Sequence, residues 1–174
     1  MVLVPEVARA IKDLREVPIL AAGGICTGDQ MAGAMAMGAS GAWCASVFLT
    51  TSEAETSQVV KDKMLSASSS QTVRSRSRTG KHSRQLQSSW TDAWESDRAP
   101  DPLPMPLQTM VSEPALQRID KAADVGHDGA KKLATYWVGQ GIGLVSEKIS
   151  AGQTVQKFKE EFIEAYERLN NFME

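Results

Sequence analysis

The sequence predicts an α/β fold built from consecutive strand–helix units. Two apolar runs, Pro18–Ala22 and Gly41–Ala45, are too short for helices and are bounded by turn residues, which is typical of buried parallel strands. Between them lies a segment rich in Ala and Met, Asp29–Met37. Because short connections through a helix favour parallel crossovers, we expect two neighbouring strands of a parallel sheet.

Capping residues support the order of the elements. Pro5 suits the first turn of a helix, Thr27 or Asp29 can cap the next helix, and Gly38 can end it. Ser52 resembles the N-cap of a third helix, with two acidic residues in its first turn. In chain order, the predicted elements are a helix over 5–14, a strand over 18–22, a helix over 29–37, a strand over 41–45, a helix over 52–65, and helices over 113–125, 129–139 and 154–173.

The middle of the chain breaks this pattern. It contains a serine-rich stretch, a basic run from Arg74 to Arg84, and four prolines between Pro100 and Pro106 that exclude regular helix. We therefore expect three regions: 1–65 with the strand–helix units, 66–111 as an irregular insertion, and 112–174 as C-terminal helices. A basic run can bind nucleic acid, but the chain is acidic overall, so we expect no nucleic-acid partner.

Composition bounds the class of protein. The chain has 174 residues and a net charge of −2, and it falls short of the roughly 200 to 250 residues usual for a complete (β/α)8 barrel. It has no apolar run long enough to span a membrane. Its two cysteines, Cys26 and Cys44, are too few for a disulfide framework. We expect a cytoplasmic protein without a membrane segment and without a metal site.

Two loops have the composition of a phosphate cradle. Gly23-Gly24 follows the first strand and precedes a helix, so backbone N–H groups without a Cβ can face an anion. The second strand ends at Cys44-Ala45-Ser46, where further N–H groups and a hydroxyl can face the same point. A plain tight turn remains the alternative for Gly-Gly alone. Barrels commonly bind phosphate at paired loops of this kind.

The same stretch resembles the FMN-binding C-terminal part of the nitronate monooxygenase family. The likeness lies in AAGGI at 21–25, MAGAMAMGA at 31–39 and FLTTSE at 48–53, and it continues through 73–108 and GQGIG at 139–143. The resemblance implies the C-terminal portion of a (β/α)8 TIM barrel, about its last two strands, with an appended helical region. It implies that FMN phosphate binds at Ala22, Gly23, Gly24, Cys44 and Ser46, with Ala45 standing where the family has glycine.

The resemblance also implies an activity and its alternatives. Nitronate monooxygenases convert alkyl nitronates to carbonyl compounds and nitrite. Their histidine base has no counterpart at His82 or His127, so we expect no catalytic residue here and a fragment with little turnover. A related FMN-dependent enoyl reductase and a non-catalytic remnant or partner subunit stay open. We expect a small-molecule substrate, and either a homo-oligomer or a companion chain completing the barrel.

Overall fold

The computed structural model describes residues 2–173. The chain forms two compact units, residues 2–53 with 148–173, and residues 54–147. In chain order the elements are α1 (Leu3–Ile11), β1 (Leu20–Ala22), α2 (Gly28–Ala36), β2 (Gly41–Trp43), α3 (Ser46–Leu49), α4 (Gln58–Ser66), β3 (Thr72–Ser75), β4 (Ser83–Leu86), α5 (Ser89–Trp94), α6 (Leu107–Asp124), α7 (Asp128–Leu133) and α8 (Ala151–Asn170).

The first unit contains the predicted parallel strand pair. β1 and β2 run parallel, with Leu20 opposite Gly41 and Ala22 opposite Trp43, and α2 connects them. One face of the sheet packs on small side chains, because Ala21, Ala34 and Ala39 form a buried cluster. The α/β class predicted from the apolar runs is confirmed, and the observed strands are shorter than the predicted ones.

Helix α8 packs directly against α2 because Gly28 has no side chain. A Cβ at Gly28 would lie 2.0 Å from the backbone oxygen of Phe158 in α8, far inside van der Waals contact. The Gly28 N–H donates to Oε2 of Glu161, one turn further along α8, at 2.7 Å. Gly28 therefore allows a close helix–helix approach, and Glu161 takes the first N–H of α2.

The carboxylate of Glu53 binds the start of α8, whereas the sequence predicts Glu53 in the first turn of a helix over 52–65. Glu53 accepts the Ala151 N–H at 2.9 and 3.1 Å, and the Ser52 N–H donates to the Ile149 oxygen at 3.1 Å. The prediction that Ser52 starts a helix over 52–65 was wrong. That helix is α4, which begins at Gln58 with Ser57 as N-cap.

The second unit contains an antiparallel hairpin where the sequence predicts an irregular insertion over 66–111. β3 pairs with β4 in the register Thr72 to Leu86 and Ser75 to Ser83. Main-chain bonds extend this sheet, since the Leu86 N–H donates to the Tyr136 oxygen at 3.0 Å and the Val138 N–H to the Arg84 oxygen at 3.2 Å. The Pro-rich stretch follows without helix, as the prolines predict, until α6 begins at Leu107.

A glycine in each of two turns sets the packing of the second unit. A Cβ at Gly80 would lie 2.1 Å from the Leu103 oxygen, so the Pro-rich stretch lies directly on the hairpin turn. A Cβ at Gly143 would lie 2.5 Å from Ser69 Oγ. The glycine-rich turn over 139–143 is a 3-10 helix, Gln140–Leu144, and Gly143 allows it to contact the segment around Ser69.

Candidate functional site

The predicted phosphate loops leave the same edge of the parallel sheet. Ala22 is the last residue of β1 and is paired with Trp43, the last residue of β2. Because parallel strands end at one edge, the loops that begin at Gly23 and Cys44 start side by side. The structure thus brings together the sites predicted from the sequence: Ala22, Gly23, Gly24, Cys44, Ala45 and Ser46.

The double glycine adopts a backbone conformation that other residues rarely take. Gly23 has φ of 112° and Gly24 has φ of 74°, and an L side chain at positive φ costs roughly 1–2 kcal/mol. A Cβ at Gly23 would meet nothing within 4 Å, so conformation rather than crowding requires glycine there. Residues 23 and 24 form the turn that directly follows the last residue of β1.

Two backbone donors in these loops have no partner in the protein. Within residues 2–173, no hydrogen bond uses the N–H of Gly24 or of Ala45. Gly24 is half-buried and Ala45 is exposed, so both residues are in contact with solvent. Unused N–H groups in adjacent loops are what a phosphate requires.

The alanine at position 45 does not lie in the left-handed region. Ala45 has φ of −127° and ψ of −62°, and its carbonyl accepts the Phe48 N–H at 2.9 Å as α3 begins. Glycine is therefore not needed here to provide a positive φ.

The two cysteines stay neutral. Burial, together with the nearby Cys44, raises the pKa of Cys26 to about 11, although the Val47 backbone at the start of α3 acts to lower it. Burial also raises the pKa of Cys44. At neutral pH both thiols are uncharged, so they do not repel a phosphate.

The first N–H of α2 is not available to an anion. Its first N–H, from Gly28, is already bonded to Glu161. The side chain of Gln30 accepts the Cys26 N–H at 2.8 Å, so the end of the first loop is also used internally. The donors that remain belong to the loops themselves.

The two histidines have no catalytic arrangement. His127 is the N-cap of α7, where its Nδ1 accepts the Ala130 N–H at 3.2 Å. His82 is exposed in the hairpin turn. Among residues 2–173, no group of three or more His, Cys, Asp or Glu side chains could hold a metal ion. No helix within that range is both long and apolar enough to cross a membrane.

A buried arginine was missed by the sequence reasoning, which assigned the whole basic run to an irregular loop. Arg78 forms a bidentate pair with Glu113, with Nε–Oε1 at 2.6 Å and Nη2–Oε2 at 3.1 Å. Its guanidinium lies 3.8 Å from the ring centre of Trp137 and 4.9 Å from that of Tyr136. Arg78 therefore stabilises the second unit from inside, and nothing in the local sequence separates it from its exposed neighbours.

Comparison with known proteins places the chain in a family. A family model described as nitronate monooxygenase matches residues 1–161. A relative from Mycobacterium tuberculosis, named as a monooxygenase, is 52% identical over 175 residues, which are 100% of this chain and 46% of the relative. The chain spans about half the length of the curated relatives it matches.

Solved structures support the fold of the chain. Nitroalkane oxidase from Streptomyces ansochromogenes has a TM-score of 0.76 at 25% identity, over 95% of this chain and 45% of that one. FabK from Thermotoga maritima has a TM-score of 0.73 at 28% identity, over 98% of this chain and 51% of that one. Both are TIM-barrel enzymes, which confirms the predicted portion of a (β/α)8 barrel. The chain belongs to the nitronate monooxygenase family.

Proposed function

We propose that these residues serve an FMN-dependent nitronate monooxygenase, which converts alkyl nitronates to carbonyl compounds and nitrite. Membership of the family supports an oxidoreductase. The observation that carries the assignment to a phosphate-bearing cofactor is the pair of unused N–H groups, of Gly24 and Ala45, in loops that leave paired strand ends. Because the chain spans about half of its relatives, the activity of a whole protein is part of the proposal.

The loop residues fit the phosphate end of FMN. In this proposal Ala22, Gly23 and Gly24 hold it from one side, and Cys44–Ser46 hold it from the other. The donors are backbone N–H groups, which keep their positions because the strands fix where the loops begin. When bound, FMN supplies the electron-transfer chemistry, while the residues described here bind and orient it.

Proton transfer is not assigned to this chain. His127 uses its Nδ1 to cap α7, and His82 is an exposed turn residue. We therefore propose that the base acting on the nitronate lies outside these residues and that the chain alone has little or no turnover. Its contribution is the phosphate site and the scaffold around it.

The direct test is a titration of the purified chain with FMN, followed by quenching of flavin fluorescence and by absorbance near ~450 nm. The proposal expects saturable binding, and Gly24→Ala should weaken it by about tenfold, since a displaced loop loses at least one charge-assisted hydrogen bond. Gly33→Ala is the matched control, because Gly33 is exposed in α2 and a Cβ there meets nothing within 4 Å. A protein that stays colourless and does not quench FMN contradicts the proposal.

The alternative activity is that of an FMN-dependent enoyl reductase. The likeness to FabK, at 28% identity, supports it nearly as well as the likeness to nitroalkane oxidase supports the first proposal. Both activities use the same phosphate loops, so the titration does not separate them. The two activities are separated by assaying a full-length relative for turnover of a nitronate and for turnover of an enoyl thioester.

The open strand edges favour a partner that completes the sheet. Within the described residues, β1 and β2 pair only with each other, and Leu20 and Trp43 on one face are 54% and 68% exposed. Unpaired edges beside an apolar face invite association. We propose that a companion chain or a second copy covers this face, which light scattering after gel filtration tests by mass. A monomeric mass at all concentrations contradicts the homo-oligomer.

A further inference from the structure

The second unit contains an open polar cleft of ≈ 300 Å³ that includes none of the phosphate-loop residues. A smaller hollow of ≈ 160 Å³ shares three of its residues, Lys63, Gln71 and Gln87. A volume of roughly 300 Å³ is at the lower end of small-molecule sites. The residues that line the larger cleft include Lys63, Gln71, Gln87, Ser88, Ser89 and Lys132.

Two lysines give the cleft a positive side. Lys63 is half-buried, and its Nζ donates to the oxygens of Ala134 at 2.8 Å and of Lys132 at 3.2 Å. These bonds hold the ammonium in place and leave one of its three donors for another acceptor. Burial lowers the pKa of Lys63, so its charge is incompletely solvated and an adjacent anion would stabilise it. Lys132 is exposed at the rim.

Ser88 adds a buried donor without an acceptor. The residue is 7% exposed, and its Oγ faces the Thr91 N–H in the capping box at the start of α5. The hydroxyl hydrogen has no acceptor in the described part of the chain. Its backbone is already used, since the N–H donates to Thr91 Oγ1 at 2.9 Å and the oxygen accepts from the same hydroxyl at 2.8 Å. A buried O–H group without an acceptor costs free energy, and an oxygen atom of a ligand in the cleft would accept its hydrogen bond.

Asp92 is the carboxylate in the lining, and it limits the charge of the site. It accepts Nε2 of Gln87 at 3.1 Å, so part of its charge is already compensated. Because Lys63 and Lys132 also line the cleft, the lining keeps an excess of one positive charge. We propose that this cleft binds a small oxyanion, a phosphate or carboxylate group, through Lys63, Lys132 and the Ser88 hydroxyl.

The test is a titration of the ¹⁵N-labelled chain with sodium phosphate, compared with sodium chloride at equal ionic strength. Binding in the cleft predicts saturable shifts of the backbone amides of Gln87 and Ser89 that chloride does not produce. Shifts of the Gly23 and Gly24 amides report the FMN-phosphate loops separately, so failure of one site is distinguished from failure of the other. Sodium acetate in a third titration distinguishes a carboxylate ligand from a phosphate ligand.

Variants assign the effect to the named groups. Ser88→Ala should weaken phosphate binding by about tenfold, the loss expected for a charge-assisted hydrogen bond. Lys132→Gln, at an exposed position, should weaken it by about threefold. Lys121→Gln, which removes an exposed lysine of α6 outside the cleft, should have no effect.

Three results would overturn the proposal: shifts that chloride reproduces, shifts that do not saturate, and Lys132→Gln behaving like Lys121→Gln. If Ser88→Ala does not fold, the wild-type titration and the variants Lys132→Gln and Lys121→Gln still test the proposal, because Lys132 and Lys121 are exposed.

Discussion

Replacing Gly28 with alanine tests the closest packing in the first unit. The new Cβ would lie 2.0 Å from the Phe158 oxygen and 2.8 Å from the Phe162 nitrogen, whereas a carbon–oxygen contact needs about 3.3 Å. Both neighbours are backbone atoms of α8, so the helix itself must move by on the order of 1 Å. That movement also lengthens the bond between the Gly28 N–H and Glu161, which is 2.7 Å long.

The cost follows from these two effects. Overpacking of this kind costs about 1–3 kcal/mol, and a hydrogen bond to a charged group contributes about 1.5–3 kcal/mol. Because alanine is the better helix former by up to about 1 kcal/mol, we expect a net loss of about 2–4 kcal/mol in the free energy of unfolding.

Urea unfolding of the variant, followed by circular dichroism, measures this loss. Gly33→Ala in the same helix is the control and should stabilise by about 0.5–1 kcal/mol, because its Cβ meets open space. If Gly28→Ala unfolds within about 0.5 kcal/mol of the wild type, the close approach of α2 and α8 is not as described.

Three further changes test single contacts. Glu53→Ala should cost about 1 kcal/mol in urea unfolding, because it leaves the Ala151 N–H at the start of α8 without its carboxylate; an unchanged midpoint would contradict the capping role. Arg78→Met should cost about 3 kcal/mol in the same assay, because Glu113 loses its partner, and a neutral outcome would show that the pair is not stabilising. The pKa of Cys26 is raised on folding from 9.0 to about 11, so the thiol's contribution to stability is complete below pH 9.0 and is lost as the pH rises through about 11. Thermal unfolding of wild type and Cys26→Ala should therefore converge over that range, and parallel curves would refute the shift.

The strand–helix units could be predicted because their signals are local. The apolar runs Pro18–Ala22 and Gly41–Ala45 are short and bounded by turn residues, and β1 and β2 lie inside them. Helix α2 begins at Gly28 and ends at Ala36, each within one residue of the prediction. The convergence of the two loops follows from parallel pairing, which fixes where both strands end.

The hairpin could not be predicted because polar side chains stabilise its interior. Gln85 and Ser77 are fully buried, and they satisfy each other through a bond of 3.2 Å. Gln108, also buried, donates to the Ser77 oxygen at 2.8 Å. Strands of this kind lack the apolar alternation by which a sequence indicates a sheet, and Gln108, which completes the buried network, lies 31 residues beyond Ser77.

Long-range partners also explain the misassigned caps. Glu53 has the acidic character expected of a first helical turn, but its acceptor oxygens serve Ala151, 98 residues away. Glu161 likewise accepts the first N–H of α2, that of Gly28, although it lies 133 residues further along the chain. The sequence alone does not show why position 28 is glycine, and only the position of Phe158 shows that glycine is required there for packing.

The most direct test of the central claim is the ratio of the affinities for FMN and riboflavin, measured on this chain by fluorescence titration. Riboflavin lacks the phosphate and is otherwise the same flavin. If the loops after β1 and β2 hold the phosphate through two or more charge-assisted hydrogen bonds, FMN should bind about a hundredfold more tightly, and Gly24→Ala should reduce that ratio by about tenfold while Gly33→Ala leaves it unchanged. Equal affinities for FMN and riboflavin would contradict the assignment of these loops as the phosphate site.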